Sequence, residues 1–107
     1  MIYELRMYNV AHGRMGELVE RFNKHTLRLF DRHGISPVLF LGIKEDNPNI
    51  FSYVVSFADT KAQIESWKSF LEDKERIAIW NQSNKNGNLV ISIDSINFNS
   101  SDLQASI

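Results

Sequence analysis

Nothing limits the fold of this chain more than the change of hydrophobic period across its first turn. From Ile2 to Tyr8 the residues alternate as in a strand, with Tyr3, Leu5 and Met7 on one side and Ile2, Glu4, Arg6 and Tyr8 on the other. After His12-Gly13, the residues Met15, Leu18, Val19, Phe22, Thr26, Leu29, Phe30 and His33 recur at steps of three and four, which predicts one long helix with a single apolar face. A strand joined by a short turn to such a helix has to bury that face against a sheet. The charges on the second side of the strand then matter, because Glu4 and Arg6 need partners if that side is covered.

The opposite side of the helix carries Glu17, Arg21, Lys24, Arg28 and Asp31, with Glu17 to Arg21 and Glu20 to Lys24 in acid-first spacing of four, so it is expected to be solvated. Leu27 falls outside the stripe and hints at a contact surface. Gly34 and Pro37 stop the helix. Val38 to Ile43 is apolar on both sides, as in a strand covered twice, and the turn formers of residues 45–49 predict a hairpin. In the next strand Phe51, Tyr53, Val55 and Phe57 form a bulky side, and Ser52, Val54 and Ser56 a small one.

Asp59-Thr60 opens a second helix, with Thr60 and Gln63 spaced as a capping box and Ile64, Trp67, Phe70 and Leu71 as its stripe. A short helix after Asp73 with Ile77, Ala78 and Trp80 inward, then a last strand from Leu89 to Ile96, complete the order β-α-β-β-α-β. That order predicts an α+β, ferredoxin-like domain over residues 1–98: a four-stranded antiparallel sheet in spatial order four, one, three, two, both helices on one face. Residues 99–107 are expected to form a loosely held tail. The other sheet face would be bare in a monomer, so a homodimer closed through that face is expected.

Composition removes several functions. A formal charge of −1, from 12 basic and 13 acidic residues, supplies no field for nucleic acid or an anionic membrane. The absence of cysteine excludes disulfides, thiolate nucleophiles and cysteine-ligated zinc. No apolar run approaches membrane-spanning length and Glu4 and Arg6 interrupt any leader-like opening, so a cytoplasmic location is expected. His25 and His33 lie about 12 Å apart along a helix axis, too far to chelate one ion, and no metal or other cofactor is expected.

Two groups of residues remain as candidates for chemistry. Glu4 and Arg6, joined by Asp94 from the last strand, form either a satisfied ion pair or an anion and carbonyl clamp in which Arg6 acts with Tyr8 as donor. His25, at the edge of the stripe, is either a histidine bonded to a backbone carbonyl or a general base between helix and sheet. Phe22, Leu29, Tyr53 and Trp67 are the expected apolar walls of a ligand cleft there; Trp80 and Phe70 could join them, although aromatics at helical spacing are more commonly core.

Tyr3-Glu4-Leu5-Arg6-x-Tyr8, Gly13 before the first helix, Arg32-His33-Gly34 at its end and the Asp59-Thr60 cap resemble the NIPSNAP family over residues 2–97. The chain departs from the family pattern at His12, where proline is usual, in Leu39-Phe40-Leu41-Gly42, which lacks a tryptophan, and at Asp73-Lys74-Glu75-Arg76, where Asp-Pro-Glu-Trp is common. The resemblance implies a subunit of the dimeric α/β-barrel superfamily, whose distant members include cofactor-independent monooxygenases, haem-degrading enzymes, lactone isomerases and dye peroxidases. The expected function is thus binding of a small apolar or aromatic ligand, with cofactor-independent oxygenation or isomerisation by His25, Arg6 and Tyr8 if they share one cavity. The alternative is a non-enzymatic interaction dimer that uses Leu27 and the tail.

Overall fold

The computed structural model describes residues 1–100. Its elements are β1 (Ile2–Val10), α1 (Met15–Arg21), a π-helical turn (Phe22–Thr26), α2 (Leu27–Arg32), β2 (Ser36–Lys44), β3 (Asn47–Phe57), α3 (Thr60–Glu72), α4 (Lys74–Ser83) and β4 (Val90–Asn99). The four strands form one sheet in the order β2-β3-β1-β4, every neighbouring pair antiparallel. This is the expected α+β, ferredoxin-like arrangement, with β1 and β3 central.

Register decides which side chains share a face. Glu4 lies opposite Val55 and Asn97, Arg6 opposite Tyr53 and Ser95, and Tyr8 opposite Phe51 and Ile93. These residues point toward the helices, because Glu4 bonds to Gln63 and Trp67 of α3. Tyr3, Leu5 and Met7, with Val54, Ile96 and Phe98 opposite them, therefore belong to the open face. Between the helices and the covered face, Phe22, Phe30, Phe51, Tyr53 and Phe70 pack in tilted and edge-to-face pairs around Leu18, Leu29 and Val55.

Several expectations are corrected. The long helix is continuous but not uniform: the Leu27 N–H reaches back to the Phe22 carbonyl, and Thr26 Oγ1 donates to the Arg21 carbonyl at 3.4 Å. The wide turn shifts residues 27–32 in phase relative to 15–21, yet every residue of the expected stripe is buried or half-buried. Leu27 is half-buried against the core instead of a free contact surface, and Arg21, expected on the solvated side, is buried. Glu17 pairs with Arg14 at 2.8 Å in its place, while Glu20 and Lys24 pair at 2.6 Å as expected.

The cap of α3 is Asp59, whose Oδ1 accepts from the Ala62 N–H at 2.8 Å; Gln63 turns inward instead of closing a capping box. Gln63, Trp67 and Phe70 form the inner side of α3, leaving Ile64 and Leu71 outside, and in α4 Ile79 takes the inward place expected of Ile77. The Glu45-Asp46 hairpin turn is two residues long. β2 is an edge strand whose Val38 to Leu41 and Ile43 are exposed, so within one chain it is not covered twice. β4 continues to Asn99, and the Ser100 N–H donates to the Met1 carbonyl; of the expected tail, residues 101–107 lie outside the described residues. Among the described residues no helix is long and apolar enough to cross a membrane.

Candidate functional site

A charged group enters this core because a complete set of donors meets it. Glu4 is only 3% exposed, yet both carboxylate oxygens are filled. Oε1 accepts from Gln63 Nε2 at 2.8 Å and Trp67 Nε1 at 2.7 Å, and Oε2 from Arg6 Nη1 at 2.9 Å and Ser95 Oγ at 2.6 Å. Burial alone pushes the carboxyl upward, but the bonds from Ser95, Arg6, Gln63 and Trp67 together hold it below the usual glutamate value. The register across β1 and β4 excludes the expected role of Asp94: it lies opposite Met7 on the open face, and Ser95, opposite Arg6, takes its place.

Arg6 continues the network. Its Nε donates to Tyr53 Oη at 2.9 Å, and its guanidinium lies 4.2 Å from the Trp67 ring centre. The Tyr53 hydroxyl meets that of Tyr8 at 2.5 Å. Tyr53 is fully buried, and burial followed by the neighbouring Tyr8 raises its pKa well above the ordinary tyrosine value, so it stays protonated. Its hydrogen needs an acceptor, which Tyr8 provides, and this orients the Tyr8 hydrogen away from the core. The order of donation is Arg6 to Tyr53 to Tyr8, each bond polarising the next.

Tyr8 stands at the rim of a cleft bounded by β1 and β4 on one side and α3 and α4 on the other. An inner recess of about 170 Å³ is lined by Arg6, Tyr8, Trp67, Phe70, Trp80 and Ile93 among others, and an outer one of about 430 Å³ shares Tyr8, Arg76, Trp80 and Ile93 with it. Arg21 enters the outer recess from α1 and Arg76 from α4, and their guanidiniums lie 4.2 and 4.9 Å from the Trp80 ring centre. The arrangement can hold an apolar body between Trp67, Trp80 and Ile93 while Tyr8 donates to an oxygen of that body.

The candidate residues divide between three places. Arg6, Tyr8 and Trp67 border the cleft, whereas Tyr53 supports Tyr8 from beneath. Leu29 is solid core, and Phe22, also buried, borders a separate recess of about 250 Å³ with Val19, Leu27, Phe40 and Phe51, away from the cleft. His25 is separated from Arg6 and Tyr8: its Nδ1 lies 3.0 Å from Arg28 Nη2, and its ring lines a groove between α1 and α4 with Glu17, Lys24, Ile79 and Gln82. His33 closes its helix and also joins α3, with Nε2 at 2.6 Å from Asp73 Oδ2 and Nδ1 against Ser69 Oγ. Among the described residues no cluster of three or more histidine and acidic side chains could hold a metal ion.

Gln63, Ser95, Arg21 and Arg76 were not legible as site residues. Gln63 has a signal, since it shares a face with Trp67 and Phe70 at helical spacing; Ser95 has one only after the strand register is known. Arg21, three residues after Leu18, is on the flank of the stripe, but its spacing from Glu17 favours an exterior reading.

The NIPSNAP family model matches residues 3–96. The fold is similar to an uncharacterized NIPSNAP domain protein from Burkholderia xenovorans, with TM-score 0.81, 11% identity and coverage of 99% of this chain and 100% of that one. It is likewise similar to a NIPSNAP family protein from Agrobacterium tumefaciens, with TM-score 0.80, 16% identity and coverage of 94% and 93%. A putative antibiotic biosynthesis monooxygenase from Nitrosomonas europaea is similar at TM-score 0.64 and 11% identity, covering 94% and 98%. No curated protein matches the sequence.

Proposed function

From the premise that this chain belongs to the NIPSNAP family, we propose that it is a homodimeric small-ligand protein that binds an aromatic or apolar molecule in the cleft between β1, β4, α3 and α4. One observation carries this: the Tyr8 hydroxyl, paired with that of Tyr53 and through it with Arg6, lines a recess walled by Trp67, Trp80 and Ile93. The donor is suited to a carbonyl, phenol or enol oxygen, and a developing negative charge there would strengthen the bond.

An enzymatic role follows from the same geometry. A substrate that arrives as a phenolate or enolate would have its oxygen held by Tyr8, leaving its carbon framework against the indoles for cofactor-independent oxygenation or isomerisation. His25, facing the groove between α1 and α4, stays outside that chemistry. The homodimer is supported by Leu39, Ile96 and Phe98, all about half exposed in one chain. The test is thermal shift with 1-naphthol and 2-naphthamide on wild type and Tyr8→Phe. Stabilisation of the wild type that falls markedly in Tyr8→Phe supports the cleft. If neither compound stabilises the wild type while a protein partner does, the chain is an interaction module.

A further inference from the structure

Two arginines in the outer recess lack what buried cations ordinarily have. Arg21 is 6% exposed, and its polar contacts are neutral: Nη1 donates to Ser83 Oγ at 3.0 Å and approaches Asn84 Oδ1 at 3.5 Å, while Nε has no partner. Arg76 donates from Nη1 to the Leu71 carbonyl at 3.3 Å, and its buried Nε is likewise unpaired. Among the described residues neither guanidinium forms a salt bridge. The carboxylates that could serve are engaged elsewhere: Asp73, whose field reaches Arg76, is held by Arg32 and His33, Glu17 by Arg14, and Glu4 by Arg6.

The surroundings register this excess of positive charge. Burial, with Arg76 and Arg14 adding to it, pulls the Arg21 pKa down to about 10, and burial lowers that of Arg76. An isolated buried cation is costly, and two around one indole ring more so, unless an anion completes the set. The anion has to be small, because the recess is about 430 Å³. It has to carry an apolar body, because Trp80 and Ile93 line both recesses and Trp67 the inner one.

Resting on the small-ligand role of the same cleft, we infer that its occupant is an aromatic carboxylic acid, whose carboxylate pairs with Arg21 and Arg76 while its ring lies against Trp80. Arginine forks match a planar carboxylate through paired N–H donors, and both guanidiniums line the recess. Tyr8 then remains free to address a second oxygen on the ligand body. A bare oxyanion would satisfy the charges but leave the indoles uncovered.

The experiment is calorimetric titration of the full chain with 2-naphthoate, its neutral isostere 2-naphthamide, and inorganic phosphate. Wild type should bind the acid about tenfold or more tighter than the amide, as hydrogen bonds to a charged group require. Arg21→Met and Arg76→Met should each bring the ratio of acid to amide affinity down to within roughly twofold of one. Equal affinity for acid and amide in the wild type overturns the inference and leaves the small-ligand role standing, as does phosphate binding as tightly as the acid. A preference that survives in both variants also overturns it. If neither naphthyl compound binds, the small-ligand role fails together with the inference. The wild-type comparison of acid with amide needs no variant to fold, and Arg76→Met, half-buried at its surface, covers the case in which Arg21→Met does not.

Discussion

Four donors converge on Glu4, and three of them do not depend on Arg6. Loss of Arg6 therefore leaves the carboxylate hydrogen-bonded, whereas loss of the carboxylate leaves a guanidinium, an amide, an indole and a hydroxyl facing one another. Glu4→Gln should destabilise by about 3–5 kcal/mol, the range for breaking a buried pair. Arg6→Met should cost less, roughly 1.5–3 kcal/mol, the range for a hydrogen bond to a charged group. Urea unfolding of both variants checks the order, and a larger loss for Arg6→Met would show that Glu4 is not the anchor. The pH dependence has a definite sign. The folded-state pKa of Glu4 is depressed, so its contribution is complete above the ordinary glutamate value and is lost as pH falls through the lower folded value. The pairing of Glu4 with Arg6 was legible because both lie on one side of β1, but the other donors to Glu4 come from α3 and β4, which the sequence alone does not place beside it.

At the scale of elements, Asp73 fixes the joint between α3 and α4. It stands extended between the two helices, and its Oδ1 accepts from the Arg76 N–H at 3.0 Å as the cap of α4. Oδ2 receives Arg32 at 3.0 Å and His33 at 2.6 Å, so the end of α2 is tied to the same joint. Glu75 adds contacts to Arg28 and Arg32. Arg32-His33-Gly34 and Asp73-Lys74-Glu75-Arg76, two stretches that the sequence left unrelated, are thus halves of one clamp. The backbone bond to Arg76, then those to His33 and Arg32, hold the Asp73 carboxyl far below the usual aspartate value. Its share of stability is present above that usual value and disappears as pH falls through the depressed one. Asp73→Asn should melt below wild type at neutral pH, with the gap closing only in strong acid; a gap independent of pH would mean that the charge is idle.

For the whole molecule, the open face of the sheet is the feature that one chain leaves unfinished. Leu5 and Met7 lie at its centre, with Val54, Ile96 and Phe98 beside them in register. Sedimentation of the wild type should give twice 12.4 kDa, and Ile96→Glu should give a folded species of 12.4 kDa. A wild-type monomer would remove the dimer from the proposed function. The strand order and the facing of β3 were legible because bulky Phe51, Tyr53, Val55 and Phe57 alternate with small Ser52, Val54 and Ser56. The cleft was legible only as a set of aromatics. Its position depends on the break at Asp73, which was legible, and on the π-helical turn at residues 22–26, which periodicity does not resolve. The pairing of β1 with β4 also bears on how the chain is made. β1 is made before every other element of the domain, but the strand that covers its edge and supplies Ser95 to Glu4 comes at the domain's far end. At synthesis rates of about 5–20 residues per second, that delay is on the order of ten seconds. During it the nascent sheet has a bare edge on β1 and a half-satisfied carboxylate, so the fold is complete only when the last strand arrives to close the first.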